Sequence, residues 1–497
     1  MKLITQRIVR LLGSRQCTYA VLVFFCIEAL WVACSAVYPM AFDEDFHVGV
    51  IKIYSHHWLP FLSAQPDGAG QFGPVARDPS YAYHWLMSFP YRIVAALTHS
   101  EAAQVVTLRL INVALFGYGL VLFRKVLARA NVSRPLANVS LAIFILIPIV
   151  PVLAGQINYD NLLFPVTAGL CLLVFSAYRD MREDVIPLRT LVWLAVLAMF
   201  GCLVKYAFLP LVLAAVLFLG ATGIRAFRGR WNKLLPAVKT SFAGIGAKSR
   251  LGLLVALLLS TVLFAQRYVL NVAAYHTPLP DCSAVLSTDA CMSYGPWARN
   301  YTYEQSKVSV SANPFSYAWT WVQGMHFRLF FSINGPAGGF TNYPPAPLPS
   351  ATAIVVGVCG VLAVVIYWRR VFANRSYLVF LLLLCGAYVL TLWLDNYMEY
   401  LETGQPVAIN GRYLLLILLP LAAVFGRGLS TALRPWPQLK AIAAALAILL
   451  FLQGGGVSGF ILRSDSTWYW PNKTVEHTNN AAKDILQPLI LEGNKYY

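Results

Sequence analysis

The feature that most constrains this chain is a series of about eleven apolar segments, each long enough for a membrane-crossing helix. Such a helix needs about 17–25 apolar residues to cross roughly 30 Å of hydrocarbon. In that layer every backbone N–H and C=O group must form a hydrogen bond within the protein. The segments cover residues 19–40, 102–123, 137–155, 161–178, 188–204, 207–223, 251–270, 349–367, 376–394, 412–426 and 441–460. They predict an all-α polytopic membrane protein, a bundle of about eleven transmembrane helices whose external loops carry short interfacial helices.

The composition excludes several other classes of protein. Charged residues make up 12% of the chain and hydrophobic residues 58%, with a mean hydropathy of +0.62. A soluble domain carries about 25% charged residues, so this chain could not cover a soluble surface, and it is too apolar to be disordered. The net charge of +17 does not indicate a nucleic-acid partner, because its meaning depends on the side of the membrane on which the charges lie.

The charges between the apolar segments predict the orientation. With the N-terminus inside, the cytoplasmic segments hold 24 of the 38 Lys and Arg residues but only three acids, Asp180, Glu183 and Asp184. An excess of Lys and Arg marks cytoplasmic loops. We therefore expect the N-terminus inside and the C-terminus outside, in a bacterial plasma membrane.

The external segments are long and carry most of the side chains capable of chemistry. We expect a transmembrane domain at 1–460, with a first external loop at 41–101 and a large external loop at 271–348, followed by an external tail at 461–497. Cys282 and Cys291 share the large loop, where a disulfide is plausible in an oxidising compartment. In the same loop the glycine-rich residues 335–339 could form a lid.

The first external loop opens with three consecutive acids, Asp43, Glu44 and Asp45, where the first helix leaves the membrane. One interpretation is a charge cluster that fixes the end of that helix. The other is a functional site, since aromatic residues flank the acids and His47 follows them. The next segment, 51–61, is amphipathic and predicts an interfacial helix that would hold the carboxylates beside lipid headgroups.

Two motifs carry a family resemblance. Asp43-Glu44-x-Phe46-His47 resembles the first-loop motif of GT-C glycosyltransferases, namely protein O-mannosyltransferases and the dolichol-pathway glucosyltransferase that adds the terminal glucose. Residues 78–85, which include His84, lie where those families place an aromatic segment before another amphipathic helix, although their paired prolines with glycine are absent.

The second motif lies late in the chain. Residues 411–414 read Gly-Arg-Tyr-Leu and resemble the Gly-Arg-Tyr-Leu-x-Pro pattern of protein O-mannosyltransferases and of an uncharacterised bacterial GT-C-like membrane family. In this chain the proline is displaced to Pro420, so the match is partial. The motif contributes Arg412 and Tyr413 to the expected site.

The resemblance implies a GT-C-like bundle and the transfer of a sugar from a polyprenyl-phosphate donor to a hydroxyl on a glycan, lipid or protein acceptor. A carboxylate accepts the hydroxyl proton in such a reaction, and the resemblance assigns that role to Asp43, with Glu44 or Asp45 positioning the acceptor or a divalent ion. Asp43, Asp45 and His47 could hold Mg²⁺ or Mn²⁺, although such acidic stretches are also common by chance. The expected partners are the donor, the acceptor and membrane lipids, with no nucleic acid.

The leaving phosphate needs a cation. The cations that are external or near the outer interface are Arg109, Lys205, Arg267, Arg328 and Arg412. Arg412, at a helix start, could bind phosphate or only anchor the helix at the interface. Lys205 could reach the same headgroup or only mark the turn between two segments. Arg109 lies inside the second segment and needs an acidic or phosphate partner, for which Glu28 is one possibility.

His47, His84, Asn158, Asp160 and Tyr413 complete the expected substrate-binding set. Asn158 and Asp160 belong to a polar turn after the third segment. That turn could line the sugar or acceptor pocket, or it could be a plain connection.

Two other functional classes remain open. A transporter or flippase of lipid-linked sugars predicts inverted repeats and polar groups near the membrane midplane, and the sequence shows no such repeat. A polysaccharide polymerase or ligase would use arginines in a large external loop. A structural scaffold would leave the acidic run of the first loop unexplained.

Overall fold

The computed structural model describes residues 2–230, 232, 234–306, 313–330 and 345–491. Within these ranges the chain forms α-helices, short 3₁₀ helices and one π turn, and the β pairing there is a single bridge between Ala36 and Tyr469. The prediction of an all-α polytopic membrane protein is confirmed.

The helices follow the apolar segments of the sequence. Up to residue 243 they are α1 (Lys2–Leu12), α2 (Arg15–Ser35), α3 (Glu44–Ser55), α4 (Ala82–Leu97), α5 (Glu101–Arg129), α6 (Arg134–Ile145), α7 (Ile149–Ala154), α8 (Asp160–Arg182), α9 (Leu188–Val204), α10 (Leu209–Phe227) and α11 (Leu234–Ala243). Beyond it they are α12 (Ala247–Phe264), α13 (Leu270–Tyr275), α14 (Cys282–Val285), α15 (Thr288–Cys291), α16 (Gly295–Gln305), α17 (Pro314–Phe330), α18 (Pro347–Ile366), α19 (Trp368–Phe372), α20 (Ser376–Thr403), α21 (Leu415–Ala432), α22 (Pro437–Phe451), α23 (Ser458–Arg463) and α24 (Lys473–Leu486). The 3₁₀ helices are Ala69–Phe72, Tyr206–Phe208, Gly411–Leu414, Ser466–Trp468 and Gln487–Leu489, and the π turn is Ala265–Val269.

In the described part of the chain, eight helical stretches are long and apolar enough to cross a membrane. They are α2, α5, α8, α18 and α20, together with α10 and α21, each extended by the 3₁₀ helix before it, and the continuous run from α12 to α13. Three further apolar helices, α6, α9 and α22, are shorter. Each of the eleven overlaps one of the eleven apolar segments of the sequence.

Two of those segments are not continuous helices, contrary to the prediction. Segment 137–155 breaks between α6 and α7, where Pro148 has no amide hydrogen to continue the first helix. Segment 441–460 breaks after α22, because Gly454 and Gly456 take φ values of 92° and 59°. Only glycine adopts such values without steric cost.

The interfacial helix of the first loop is also displaced from its predicted position. Helix α3 begins at Glu44, directly on the acidic run, and ends at Ser55 instead of covering 51–61. Acids in the first turn of a helix favour its start, because they face the positive end of the helix dipole. Beyond α3 the chain turns, and Trp58 is 76% exposed.

The core that positions the functional residues is built on α5 and α8. Phe164 on α8 stacks on Phe116 of α5 and on Phe144 of α6, with ring centroids 4.3 Å and 5.5 Å apart. Gly119 allows this approach, since a Cβ there would lie 2.4 Å from the Phe164 ring. As a result, the start of α8 and the first half of α5 share one end of the bundle, which we call the site end.

The segments that the sequence predicts to be external pack back onto the site end. Cys282 and Cys291 form the predicted disulfide, with their Cα atoms 5.9 Å apart. Asn479 on α24 accepts a hydrogen bond of 2.9 Å from the Trp31 indole on α2, which ties the C-terminal tail to the first helix. The lid predicted at 335–339 lies outside the described residues.

Candidate functional site

The acidic run of the first loop divides into one buried and two exposed carboxylates. Glu44 is fully buried, whereas Asp43 and Asp45 are exposed. The division follows from the backbone, because Phe42 and Asp43 both take left-handed φ values, 69° and 67°, before α3 begins. Two such residues in a row turn the chain sharply, and non-glycine residues in this conformation are found preferentially at functional sites.

Glu44 holds the loop in place. Its carboxylate accepts hydrogen bonds from Arg109 Nε at 2.8 Å and Nη2 at 2.7 Å, and from the backbone amides of Met40 at 2.8 Å and Ile157 at 3.0 Å. Both Arg109 and Glu44 are completely buried. Because its oxygens are already bonded and buried, the geometry favours a structural role for Glu44 over the expected catalytic or acceptor-positioning role, which stays a prediction. Arg109 pairs with Glu44 and not with Glu28, whose carboxylate accepts from the Val457 amide.

Asp43 is joined to a residue 369 positions away. Arg412 donates from Nη2 to Asp43 Oδ2 at 2.6 Å and from Nη1 to the Phe42 carbonyl at 2.9 Å. The Asp43 side chain remains 56% exposed, whereas that of Arg412 is only 6% exposed. A buried cation thus fixes the orientation of an accessible carboxylate.

Gly411 explains how Arg412 reaches this position. The 3₁₀ turn that carries both residues packs against α17, and a Cβ at position 411 would lie 2.6 Å from the Met325 carbonyl oxygen and 2.8 Å from the Leu329 amide nitrogen. These are backbone atoms, which cannot rotate away. The glycine of the Gly-Arg-Tyr-Leu motif is therefore required for the close packing that places the arginine.

A second ion pair lies beside the first. Lys205, in extended backbone between α9 and the following 3₁₀ helix, donates to Asp160 Oδ1 at 2.8 Å. Its ammonium also lies 4.4 Å from the ring centroid of Tyr159 and 4.7 Å from that of Tyr413. Two aromatic faces around one ammonium stabilise the charge. Lys205 and Asp160 are both more than nine-tenths buried. The geometry therefore favours a structural role for this ion pair over direct contact with a substrate.

Asn158 connects the two pairs and does not line a pocket. It is fully buried, its amide donates to the Phe42 carbonyl at 3.2 Å, and its side-chain oxygen accepts from the Asp160 amide at 2.9 Å. The expectation that Asn158 contacts sugar or acceptor is not supported by this position. It bonds the first backbone amide of α8 and holds the left-handed turn at Phe42.

His47 and His84 form a buried pair. His47 Nδ1 and His84 Nε2 are 2.9 Å apart, and both rings are about 1% exposed. Burial, with the neighbouring His84, lowers the pKa of His47 well below its usual value, and burial lowers the pKa of His84 to about 3. Both rings are therefore neutral near pH 7, one donating to the other. They were expected to bind substrate, but they lie beneath the surface and support α3 against α4.

Of the five cations that the sequence places outside or near the outer interface, Arg328 is the one that is exposed. It lies in the last turn of α17, and no ion pair joins it to any of the described residues. Partial desolvation by the surrounding protein lowers the pKa of Arg328, and so does the neighbouring positive charge of Arg412. Arg267, by contrast, is fully buried and donates to the Pro60 carbonyl at 3.2 Å, which fastens the first loop to the end of α12.

The proposed metal ligands do not converge. Among the described residues, no group of three or more His, Cys, Asp or Glu side chains could hold a metal ion. His47 is turned into the pair with His84, while Asp43 and Asp45 are exposed. The trio Asp43, Asp45 and His47 is therefore not a preformed site.

A polar network that the sequence did not predict lies beneath the site. Asn112 on α5 accepts from the Tyr83 hydroxyl at 2.8 Å and from the Asn161 amide at 3.1 Å, and all three are fully buried. One signal was available, because Asn112 follows Arg109 by three positions in an apolar segment and so shares its helix face. Tyr159 gave no such signal, since its role depends on Lys205 arriving from another helix.

The fold and site together define an all-α polytopic membrane protein with paired acids and cations at one end of its bundle. The chain belongs to the family described as Predicted membrane protein (DUF2142), whose model matches residues 46–421. The match includes His47, His84, Asp160, Lys205 and Arg412 and begins just after the acidic run. No curated protein and no solved structure matches the chain.

Proposed function

We propose that this protein is a GT-C-type glycosyltransferase that moves a sugar from a polyprenyl-phosphate donor to an acceptor hydroxyl at the site end of the bundle. The observation that carries the proposal is the pair of Asp43 and Arg412, an exposed carboxylate held at 2.6 Å by a buried guanidinium, with Arg328 nearby. A base and a phosphate-binding cation are the two groups that this reaction needs.

Asp43 is the proposed general base. The acceptor oxygen attacks the anomeric carbon of the donor, the bond from that carbon to the phosphate oxygen breaks, and the phosphate leaves with the electron pair. Asp43 takes the hydroxyl proton. Arg412 binds Oδ2, and no hydrogen bond from the described residues reaches Oδ1, which is therefore the proposed proton acceptor. A positioned general base contributes about 10²–10⁴-fold to such a rate.

Arg328 is the proposed principal ligand of the donor phosphate. Arg412 already donates to Phe42 and Asp43, and Lys205 is neutralised by Asp160. Arg328 is exposed, lies near the positive charge of Arg412 and has no acidic partner among the described residues. A phosphate would supply the missing negative charge, and a guanidinium can bind two of its oxygens at once. In this proposal Arg412 positions the base and does not clamp the phosphate.

A divalent cation is an optional part of the proposal. Asp43 and Asp45 are oxygen ligands of the kind that Mg²⁺ or Mn²⁺ prefers, and magnesium sites often combine one or two protein carboxylates with substrate phosphates. None of the proposed roles of Asp43, Arg328 and Arg412 depends on such an ion. The activity of the purified protein with and without a chelator measures the requirement directly.

The proposal is tested in cells with and without the gene, by mass spectrometry of their glycolipids and glycans. Deletion should remove a single sugar from one glycoconjugate, and the intact gene should restore it. Asp43→Asn should behave like the deletion, whereas Asp45→Asn, a matched loss of one neighbouring exposed carboxylate, should restore the sugar. Full restoration by Asp43→Asn, or no mass difference on deletion, would contradict the proposal.

A second experiment concerns the phosphate. Arg328→Gln should weaken binding of the donor about tenfold or more, because a charge-assisted contact is worth roughly 1.5–3 kcal/mol. Arg299→Gln, which changes another cation of the large external loop, serves as the matched control. Equal effects of the two variants on the apparent KM for the donor would remove Arg328 from the site.

A further inference from the structure

A second feature lies at the end of the bundle opposite Asp43 and Arg412. An open cavity of about 410 Å³ is bordered by the C-terminal ends of α5 and α8 and by the start of α20. Its lining includes Asn131, Tyr178, Arg179, Arg182, Arg375 and Ser376. None of these residues contributes to the site described above.

The lining of this cavity carries an excess of positive charge. Three arginines face one acid of the lining, Glu183. Arg179 already bonds the carboxylate of Asp180 at 3.0 Å. Arg182 and Arg375, however, form no ion pair with any residue that the structure describes. Two guanidiniums in one cavity without an acidic partner favour a bound anion, and the planar fork of arginine matches the oxygens of a phosphate.

The start of α20 adds to this charge. Helix α20 is 28 residues long and begins at Ser376, inside the lining, so its first amides point toward the cavity end. The Ser376 hydroxyl accepts a hydrogen bond of 2.5 Å from the Tyr178 hydroxyl, which ties the start of α20 to the end of α8. The free amides at a helix start attract anions, and here they border the same cavity as Arg182 and Arg375, of which Arg375 donates to the Asn131 carbonyl at 3.5 Å.

The depth of the cavity identifies the source of the anion. Helix α8 runs from Asp160 at the site end to Arg182 at the cavity, a rise of about 33 Å, close to the thickness of the hydrocarbon layer. The cavity therefore lies at the level of the lipid headgroups on the other face of the membrane. Val379 and Leu382, one and two turns into α20, are 42% and 40% exposed and offer an apolar surface to acyl chains.

We propose that this cavity binds the phosphate of an anionic phospholipid headgroup, with Arg182 and Arg375 as its principal ligands. The acyl chains of the lipid lie along the exposed face of α20 that carries Val379 and Leu382. Basic pockets between transmembrane helices on the cytoplasmic side are a known means of binding anionic headgroups. This site is independent of the proposed glycosyl transfer, because it shares no residue with it.

The test uses the full chain purified in a neutral detergent and three probes: dihexanoyl phosphatidylglycerol, dihexanoyl phosphatidylcholine and inorganic phosphate. Binding is measured by the rise in the midpoint of thermal unfolding over a titration of each probe. We expect phosphatidylglycerol to stabilise the protein more than phosphatidylcholine. The variant Arg182→Gln/Arg375→Gln should weaken phosphatidylglycerol binding about tenfold or more.

The matched control is Arg225→Gln/Arg228→Gln, which removes two exposed charges from the end of α10 without changing the cavity lining. It should bind phosphatidylglycerol like the unmodified protein. Arg182→Gln alone changes one exposed side chain that forms no ion pair with the described residues, and it should weaken binding severalfold while leaving the unfolding midpoint without lipid unchanged.

The possible results separate the sources of the phosphate. Binding of inorganic phosphate as tight as that of phosphatidylglycerol, with the same loss in the cavity variants, would assign the site to a soluble phosphate compound and overturn the lipid assignment. Equal losses in the cavity and control variants would show a general charge effect. Either that result or unchanged binding in both cavity variants would overturn the proposal.

Discussion

Glu44 and Asp43 are neighbours in one acidic run, yet the structure predicts opposite consequences for their removal. Glu44→Gln keeps the size of the side chain but removes the charge opposite Arg109, with both groups completely buried. The amide of glutamine also replaces one accepting oxygen with a donor, which cannot receive the Arg109 bonds. Asp43→Asn changes a side chain that is 56% exposed and leaves Arg412 bonded to the Phe42 carbonyl.

The expected magnitudes differ accordingly. Removing one partner of a buried ion pair costs about 3–5 kcal/mol, because the other charge remains buried without compensation. Fully exposed pairs contribute about 0–1 kcal/mol, and the pair of Asp43 with the buried Arg412 lies between these two limits, because Asp43 is 56% exposed and Arg412 keeps its bond to the Phe42 carbonyl. Glu44→Gln should therefore lower the midpoint of thermal unfolding by about 5 °C or more, and Asp43→Asn should lower it by less. For activity the order reverses, since only Asp43→Asn removes the proposed base.

The assay is the thermal unfolding of both purified variants in detergent, followed by tryptophan fluorescence, beside their sugar-transfer activity at a temperature where both are folded. The double variant Glu44→Gln/Arg109→Gln should lose less stability than the sum of the two single variants, because the pair is coupled. Glu44→Gln with an unchanged unfolding midpoint and lost activity would refute the structural role of Glu44 and return it to the candidate catalytic residues.

Three further outcomes are expected. Burial holds the pKa values of His47 and His84 below about 6.5, the value for an unfolded chain. The folded protein therefore keeps both rings neutral, and their contribution to the free energy of unfolding is complete above pH 6.5 and is lost as the pH falls toward 3. The unfolding midpoint of His84→Gln should therefore fall less between pH 7.5 and 5 than that of the unmodified protein, and parallel curves would contradict the reasoning. Arg412→Lys should lose most turnover, since a lysine lacks the planar fork whose two nitrogens bond Phe42 and Asp43 in fixed directions, and unchanged turnover would remove the positioning role. On intact cells an impermeant thiol reagent should label Asp67→Cys and miss Lys239→Cys, and the reverse pattern would overturn the predicted orientation.

The site illustrates which of its parts local sequence could predict. The sequence predicted that five charged residues belong to the functional site: Asp43, Asp160, Lys205, Arg328 and Arg412. The reason was that charged side chains beside membrane segments are energetically costly and usually have a function. The structure does bring the pairs Asp43 with Arg412 and Lys205 with Asp160 together. Which member of the acidic run is buried was not predictable, because it depends on the left-handed turn at Phe42 and Asp43.

The sequence by itself determined the class of protein and the approximate positions of its long apolar helices. Membrane-length apolar runs form helices because backbone groups in hydrocarbon must bond internally, and this requirement is local to each segment. The tertiary structure alone decided the pairings, since Arg109 meets Glu44 across 65 residues and Arg412 meets Asp43 across 369. A buried charge requires a partner but does not specify which one. That choice depends on the packing of α5 against α8 and of the Gly411 turn against α17, which no single segment encodes.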